Sequence, residues 1–128
     1  AIAQATACPV WMHENDVTLR TAMTVTAPYY TDLYAEGDEV DAGALRFTVL
    51  ETPGHTMGSV CLRCGDTLFT GDTLFAGACG RTDLGGNAQE MKKSLARLAA
   101  IPENLTVLPG HGEGSTLDRE RASNPYLP

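Results

Sequence analysis

Apolar and polar residues alternate over residues 44–51, where Leu45, Phe47 and Val49 occupy every second position. This period of two predicts a strand with one buried face, because successive side chains of a strand point to opposite sides. Two further short apolar runs, at residues 59–63 and 67–70, predict strands joined by a tight hairpin at residues 64–66. The stretch TPGHTMG, before the first of these runs, is predicted to be a loop because Pro and Gly punctuate it.

The pattern becomes helical over residues 87–100. Apolar side chains recur there at steps of three and four residues, at Ala88, Met91, Leu95 and Leu98. This spacing predicts a helix with one apolar face. Asn87 is a suitable N-cap, and Glu90 three residues later makes the start close to a capping box. Pro102 is expected to end the helix.

The remaining chain continues the alternation of strands and helices. Residues 1–7 are typical of the end of a helix, and residues 8–14 of a short strand. Residues 105–108 form a short apolar run that predicts a strand leading into PGHG. A last helix is expected to begin near Ser115 or Thr116 and to stop before Asn124. This alternation predicts the α/β class, with residues 1–128 forming a single, partial domain.

Composition and charge exclude several classes of function. The chain of 128 residues carries sixteen acidic and nine basic side chains, a formal net charge of −7. That balance argues against binding to nucleic acid, where Lys and Arg must neutralise phosphates. No apolar run approaches the roughly 20 residues that span a bilayer. We therefore expect a globular protein without a nucleic-acid or membrane partner, and the cysteines considered below favour a cytoplasmic one.

Three glycine-containing turns carry the candidate chemistry. The stretches TPGHT, TGDT and PGHG each follow an apolar strand and present one potential metal ligand, which is His55, Asp72 or His111. Ends of strands are where open α/β sheets usually place their sites. Two imidazoles and a carboxylate are an ordinary ligand set for zinc or non-haem iron. A single loop histidine is more often a solvated residue, so the prediction depends on all three turns occurring together.

Other residues with reactive side chains give weaker signals. His13 lies in a strand-like segment without a glycine turn, which indicates a structural role. Cys61 and Cys64 have the C-x-x-C spacing, but residues three apart on a strand point to opposite faces, so a structural or incidental role is favoured. Cys79 follows Asp72 closely, yet no activating base is evident. We expect free thiols, as in a reducing compartment.

The segments TPGHTMGSVCL, LFTGDTLFAGACGRTDL and VLPGHGEGSTLDRERASNPYL resemble, in order and spacing, the second half of the metallo-β-lactamase superfamily. The GDTLF and GRTDL pieces and the closing ER-x-x-NPYL are most similar to short glyoxalase II-type proteins. The resemblance implies the second half of an αββα sandwich. It also implies that His55 binds the first of two zinc ions, that Asp72 is the catalytic carboxylate bridging both, and that His111 binds the second. Arg81 and Asp83 match a stretch at the mouth of the site and are the implied substrate-binding residues.

The family's remaining ligands come from an H-x-H-x-D-H motif that precedes these segments, and no such motif occurs in this sequence. Because the chain also starts at Ala1 without an initiator Met, we expect it to be a fragment or truncated form. Its metal binding should then be weak until the missing half is supplied. The inner face of its sheet should either retain that N-terminal half or associate with a second copy.

The activity implied for the parent protein is hydrolysis of a thioester such as an acyl-glutathione. Iron or manganese could replace zinc. A persulfide dioxygenase with a single iron is the main alternative among enzymes, followed by lactonase and β-lactamase activities. The alternative outside the enzymes is a truncated, non-catalytic binding or interaction module.

Overall fold

The computed structural model describes residues 5–18 and 29–128. The strands are β1 (Trp11–His13), β2 (Asp32–Tyr34), β3 (Glu39–Ala42), β4 (Leu45–Glu51), β5 (Val60–Cys64), β6 (Thr67–Gly71), β7 (Leu74–Phe75), β8 (Ala78–Cys79), β9 (Thr106–Pro109) and β10 (Ser115–Thr116). The two longer helices are α1 (Ala88–Ala99) and α2 (Leu117–Ser123). Residues 5–6 and 14–18 are also helical.

One six-stranded sheet, in the order β10-β9-β6-β5-β4-β3, organises the described chain. β3 to β6 form an antiparallel meander, whereas β6 and β9 are parallel. The parallel pair requires a crossover connection, which α1 provides between the two strands. Two small sheets accompany it, a parallel β1–β2 pair and the β7–β8 hairpin. The predicted α/β class is confirmed.

The predicted elements of the site-bearing region are present. The strands expected at 44–51, 59–63, 67–70 and 105–108 correspond to β4, β5, β6 and β9, and the expected strand near residues 8–14 corresponds to β1. Asn87 caps α1 by accepting a hydrogen bond from the backbone N–H of Glu90. The Glu90 side chain pairs with Lys93, so only half of the expected capping box forms. Of the helix end predicted at 1–7, residues 1–4 lie outside the described residues.

One face of the sheet is packed against the helices and forms the main core. Its members are buried apolar residues from the sheet, both helices and the connections between them: Cys61, Leu68, Leu74, Met91, Leu95, Leu98, Leu105, Val107, Leu117 and Leu127. The apolar face predicted for α1 therefore does meet the sheet. Ala88, at the start of the helix, is exposed and takes no part in this core.

The opposite face of the sheet is also apolar but only partly covered. Register places Val49, Leu62, Phe69 and Leu108 side by side across β4, β5, β6 and β9. Phe69 is 38% exposed and Leu108 40% exposed. The prediction that Leu45, Phe47 and Val49 share a buried face is wrong for Leu45, which is 56% exposed, and holds fully only for Val49. Alternation identifies an apolar face correctly, but it does not show what covers that face.

His13 has the structural role that its sequence context indicated. The side chain is buried, its Nε2 lies 2.6 Å from an Oε2 of Glu51, and its Nδ1 accepts a hydrogen bond from the backbone N–H of Asn15. This fastens the segment around β1 to the end of β4. Within the described part of the chain, no helix is long and apolar enough to cross a membrane.

Candidate metal centre

The sheet brings the three predicted ligand turns to one edge. β4 and β6 are each antiparallel to β5, and β9 is parallel to β6, so β4, β6 and β9 all run in the same direction. Their carboxyl ends therefore lie at the same edge. Asp72 directly follows β6, while His55 and His111 lie in the loops after β4 and β9. The sequence expectation that these residues gather at strand ends agrees with their placement.

Asp72 and His111 are held together by a backbone hydrogen bond between the residues that precede them and by a hydrogen bond between their side chains. The N–H of Gly110 donates to the carbonyl of Gly71 at 2.7 Å, which ties the end of β9 to the end of β6. The Nδ1 of His111 then donates to Oδ1 of Asp72 at 2.7 Å. A Cβ atom at Gly110 would lie 2.9 Å from that same carboxylate oxygen, so a side chain there would displace it. The glycine before His111 is thus required by close approach to Asp72.

His55 approaches the other oxygen of the same carboxylate. Its Nε2 lies 3.3 Å from Oδ2 of Asp72, while its Nδ1 donates to the backbone carbonyl of Arg81 at 2.7 Å. A neutral imidazole that donates from Nδ1 carries a lone pair on Nε2. The Arg81 carbonyl therefore orients His55 so that its ligating nitrogen faces Asp72, as outer partners orient the ligands of metal sites.

Buried hydroxyls lie beneath the ligand turns. Thr52 and Thr73 are fully buried, and their Oγ1 atoms are 3.1 Å apart. Thr52 begins the loop that carries His55, and Thr73 follows Asp72, so this contact links the bases of two turns. The Sγ of Cys61 lies 3.5 Å from the Thr52 hydroxyl and completes the cluster.

The donor set fits part of a two-metal site. Imidazole nitrogens and a carboxylate are suitable ligands for zinc or iron. Each Asp72 oxygen has a different imidazole beside it, as expected of a carboxylate shared between two ions. Across residues 5–18 and 29–128, however, no group of three or more His, Cys, Asp or Glu side chains is arranged to hold a metal ion. The described residues therefore offer one imidazole and one carboxylate oxygen to each position, fewer than the three protein ligands of catalytic zinc sites.

Arg81 and Asp83, predicted from the resemblance to bind substrate, are placed differently from one another. Arg81 lines a cleft of about 340 Å³ together with the three candidate ligands. Asp83 lines neither this cleft nor the groove beside it. Instead its carboxylate accepts two hydrogen bonds from the Arg81 guanidinium, at 2.6 and 2.7 Å. Arg81 lowers the pKa of Asp83 to about 2, so the pair remains ionised at neutral pH. The structure thus brings Arg81 to the site and makes Asp83 its partner.

Two residues at the site were not singled out from the sequence. Phe75, at the end of β7, lines the same cleft, and its ring meets that of His111 edge-on with centroids 6.1 Å apart. Gly80 also lines it, and a Cβ atom there would lie 1.7 Å from the backbone oxygen of Asp72. The glycine after the β7–β8 hairpin was a visible signal in the sequence. Nothing in the apolar pattern distinguished Phe75 from a core residue.

A larger groove adjoins the cleft. It has a volume of about 670 Å³ and shares Gly80 and Arg81 with the site. Its walls come from one side of α1, including Met91 and Leu95, and from the closing residues 125–128. None of the three candidate ligands lines this groove. The candidate site is therefore identified by the ligands and not by the size of the cavity.

The cysteines are poor candidates for chemistry. All four are free thiols, as predicted. Cys61 is fully buried in the core, and burial raises its pKa to about 11. Cys64 is less buried and takes no part in the core cluster that includes Cys61, so the C-x-x-C spacing does not define a site. Burial also raises the pKa of Cys79, which disfavours the nucleophilic thiolate.

Comparison with known sequences gives relatives over most of the chain. The "Probable metallo-hydrolase YqgX" of Bacillus subtilis is 37% identical over 135 residues, covering 93% of this chain and 64% of the relative. A "Hydroxyacylglutathione hydrolase" of Chromohalobacter salexigens is 41% identical over 87 residues, covering 66% of this chain and 34% of that protein. The chain spans about 65% of the length of the curated relatives that match it over most of its own length.

Solved structures agree with these relatives. ETHE1 from Myxococcus xanthus superposes with a TM-score of 0.83 at 35% identity, covering 97% of this chain and 53% of that one. TTHA1623, solved in a di-iron-bound form, gives a TM-score of 0.83 at 34% identity, with 98% and 68% covered. The profile of the metallo-beta-lactamase superfamily matches residues 2–111. With its ligand turns gathered at one sheet edge, the chain belongs to the metallo-beta-lactamase superfamily.

Proposed function

We propose that this chain supplies the second half of a metal-dependent thioester hydrolase of the glyoxalase II type. The observation that carries the proposal is the position of Asp72, with the imidazole of His55 at one oxygen and that of His111 at the other. A shared carboxylate of this kind is expected where two metal ions act together on one substrate. Hydrolases of esters, amides and phosphates use such pairs.

Each residue has a separate task in this proposal. His55 and one oxygen of Asp72 would hold the first ion, and His111 with the other oxygen would hold the second. When bound, two zinc ions supply a nucleophile from water at neutral pH and polarise the carbonyl group of the substrate. The carbonyl of Arg81 keeps His55 in the tautomer that can bind metal, and Gly110 allows Asp72 and His111 to approach each other.

The choice of a thioester is supported by two features. The curated relative named as a hydroxyacylglutathione hydrolase matches two thirds of this chain. In addition, the adjoining groove leads away from the ligands past Arg81, and its apolar wall suits the extended arm of an acylated thiol. Arg81 lines both the cleft and the groove, and its two hydrogen bonds to Asp83 fix the guanidinium there, so Arg81 would be in place to contact a substrate that extends from one into the other.

We further propose that residues outside this chain complete the site and the fold. The three histidines of the sequence are His13, His55 and His111, and His13 is already engaged by Glu51. An H-x-H-x-D-H segment would add the missing ligands, and the sheet that carries it would cover the half-exposed side chains of Phe69 and Leu108. In its absence, self-association of this single partial domain would cover the same apolar face. Four free thiols suit a cytoplasmic location.

An iron-dependent persulfide dioxygenase is the second candidate. It is favoured by the similarity to ETHE1 from Myxococcus xanthus, a persulfide dioxygenase, while the di-iron-bound form of TTHA1623 supports iron as a metal for such a site. Such an enzyme would use a single iron, so Asp72 would serve one ion and not two. Metal stoichiometry therefore separates the two candidates before any assay of activity.

The test uses a chimera in which a designed N-terminal half with the H-x-H-x-D-H motif implied by the family resemblance precedes residue 5. After loading with zinc or iron, hydrolysis of lactoylglutathione and oxygen uptake with glutathione persulfide are measured. We expect two metals per chain and thioester hydrolysis that is abolished by Asp72→Asn and retained in Cys64→Ala. Oxygen uptake with one iron would replace the proposal by the dioxygenase. Full metal occupancy with neither activity would leave a binding module.

A further inference from the structure

Glu120 is a buried carboxylate that the proposed chemistry does not use. It lies in α2, is 1% exposed, and accepts three hydrogen bonds. The Ser115 hydroxyl donates to Oε2 at 2.5 Å, and the backbone N–H of Gly77 donates to Oε1 at 2.8 Å. The side-chain amide of Asn124 also donates to Oε1, at 2.9 Å. A buried carboxylate with so many donors is a strong, directional anchor.

The charge of Glu120 is retained in this environment. Burial by itself would raise the pKa of the carboxyl group. The hydrogen bonds from Ser115, Gly77 and Asn124, together with the positive charge of Arg119, outweigh burial and lower the pKa. The three bonds are therefore charge-assisted at neutral pH, and they are stronger than bonds to a neutral acceptor.

Asn124 extends the anchor to the β7–β8 hairpin. It is 5% exposed, and its Nδ2 also lies 3.1 Å from the carbonyl oxygen of Ala78 and 3.3 Å from that of Phe75. Glu120 binds the turn of the same hairpin through the N–H of Gly77. The two side chains thus hold the hairpin at its turn and at both of its strands.

The hairpin in turn borders the candidate metal centre. It begins two residues after Asp72, and it ends next to Gly80, whose N–H donates to the carbonyl of Thr73. Phe75 lines the cleft and meets the ring of His111 at an interplanar angle of 85°. The His111 side chain is 77% exposed, and within the described residues its ring is contacted by the Asp72 carboxylate and, edge-on, by Phe75.

We propose that Glu120 and Asn124 are positioning residues that fix His111 for metal binding by holding the β7–β8 hairpin, and with it Phe75, in place. This role would account for part of the ER-x-x-NPYL stretch that ends the chain, in which Glu120 and Asn124 occur four residues apart. The predicted effect on metal binding rests on the proposed function. The predicted effects on the stability of the hairpin and on the orientation of the His111 ring do not depend on it.

Asn124→Asp is the decisive variant because it keeps the size of the side chain and replaces the donating amide by an acceptor. The new carboxylate would face Glu120 and two backbone carbonyls, so the hairpin should be released. Glu120→Gln removes the charge but retains an acceptor for Gly77 and Asn124, so its effect should be smaller than that of Asn124→Asp. Leu117→Ala is the matched control, since Leu117 is a fully buried residue of the same helix that makes none of these side-chain bonds.

The readouts are amide hydrogen exchange over residues 74–79, the NMR signals of the His111 ring, and Zn²⁺ affinity of the chimera described above. At matched global stability, Asn124→Asp should exchange the hairpin amides about tenfold faster than Leu117→Ala, as expected when bonds to a buried group are lost. Its His111 signals should shift and its Zn²⁺ affinity should fall. Glu120→Gln should change the His111 signals and the Zn²⁺ affinity less than Asn124→Asp does.

Two results would overturn the inference. In one, the hairpin amides of Asn124→Asp exchange no faster than those of Leu117→Ala. In the other, the hairpin is released while the His111 signals stay unchanged, which would make the anchor purely structural. If the wild-type chimera binds no Zn²⁺, the proposed function fails, whereas exchange and ring signals still decide whether the anchor positions His111.

Discussion

The two faces of the six-stranded sheet differ sharply although both are apolar. On the face against the helices, Leu68 and Val107 are fully buried. Their neighbours in sequence, Phe69 and Leu108, point the other way and are 38% and 40% exposed. Adjacent residues of the same strands therefore lie in a fully buried core on one face of the sheet and on a partly exposed apolar surface on the other.

The candidate metal centre shows the same division. The turns after β4, β6 and β9 are fixed by specific hydrogen bonds, which involve the Gly110 N–H, the Arg81 carbonyl and the buried threonines. The ligand set that they present is nevertheless incomplete across the described residues. The exposed apolar face and the incomplete ligand set belong to the same sheet. One additional layer that covers the face and carries further metal ligands would explain both.

Leu68→Ala and Phe69→Ala give the largest expected difference between the faces. Leu68→Ala should lower the free energy of unfolding by about 2–5 kcal/mol, because it leaves a cavity in a packed core. Phe69→Ala should cost about 1 kcal/mol, chiefly through its edge-on contact with Phe47 at 5.7 Å. Urea denaturation of both variants provides the measurement. Equal losses would mean that the second face is as well packed as the first.

Cys61 provides a second, pH-dependent probe of the packed face. Burial raises its pKa to about 11 from an ordinary value of 9.0, so the folded chain holds this proton more tightly than the unfolded chain. Stability from this group is complete below pH 9 and is lost as the pH rises toward 11, by up to about 1.4 kcal/mol per pH unit.

The free energy of unfolding, measured by urea titration between pH 8 and pH 11, should therefore fall more steeply in the wild type than in Cys61→Ala. Cys64→Ala, on the same strand but outside the core cluster, should retain the steep fall. A Cys61→Ala variant with an unchanged slope would show that the buried thiol is not responsible.

Leu108→Lys tests the open face with the smallest expected effect. A half-exposed position should accept the longer side chain with a change in stability within about 0.5 kcal/mol, as at other surface sites. The same change should reduce binding of a hydrophobic dye and any concentration-dependent association, because the apolar row is interrupted. Val107→Lys on the packed face should prevent folding. Unfolding by Leu108→Lys would contradict the assignment of an open face.

Much of this architecture follows from sequence pattern. The periods of two and of three to four residues identify β4 and α1, and the glycine turns identify the edge where His55, Asp72 and His111 meet. The error at Leu45 has a physical cause, since alternation reports which residues share a face and not which layer covers it. The strand ends were predictable because each candidate ligand lies in a glycine-containing turn shortly after an apolar run.

The supporting structure of the site was not predictable in the same way. β7, β8 and β10 each have two residues, too few to show a period. The orientation of His55 depends on a backbone carbonyl, which every residue carries and no sequence pattern marks. Asp83 illustrates the converse, because a conspicuous charged residue near the site turned out to bind Arg81 and not to line the cleft.

Titration of Zn²⁺ into this chain, its Asp72→Asn variant and its Asp83→Asn variant tests the central claim most directly. We predict weak binding by the wild type that strengthens when the H-x-H-x-D-H segment is supplied. Binding should be lost in Asp72→Asn and kept in Asp83→Asn. Equal binding by all three proteins, or none even with the segment present, would contradict the assignment of His55, Asp72 and His111 as metal ligands.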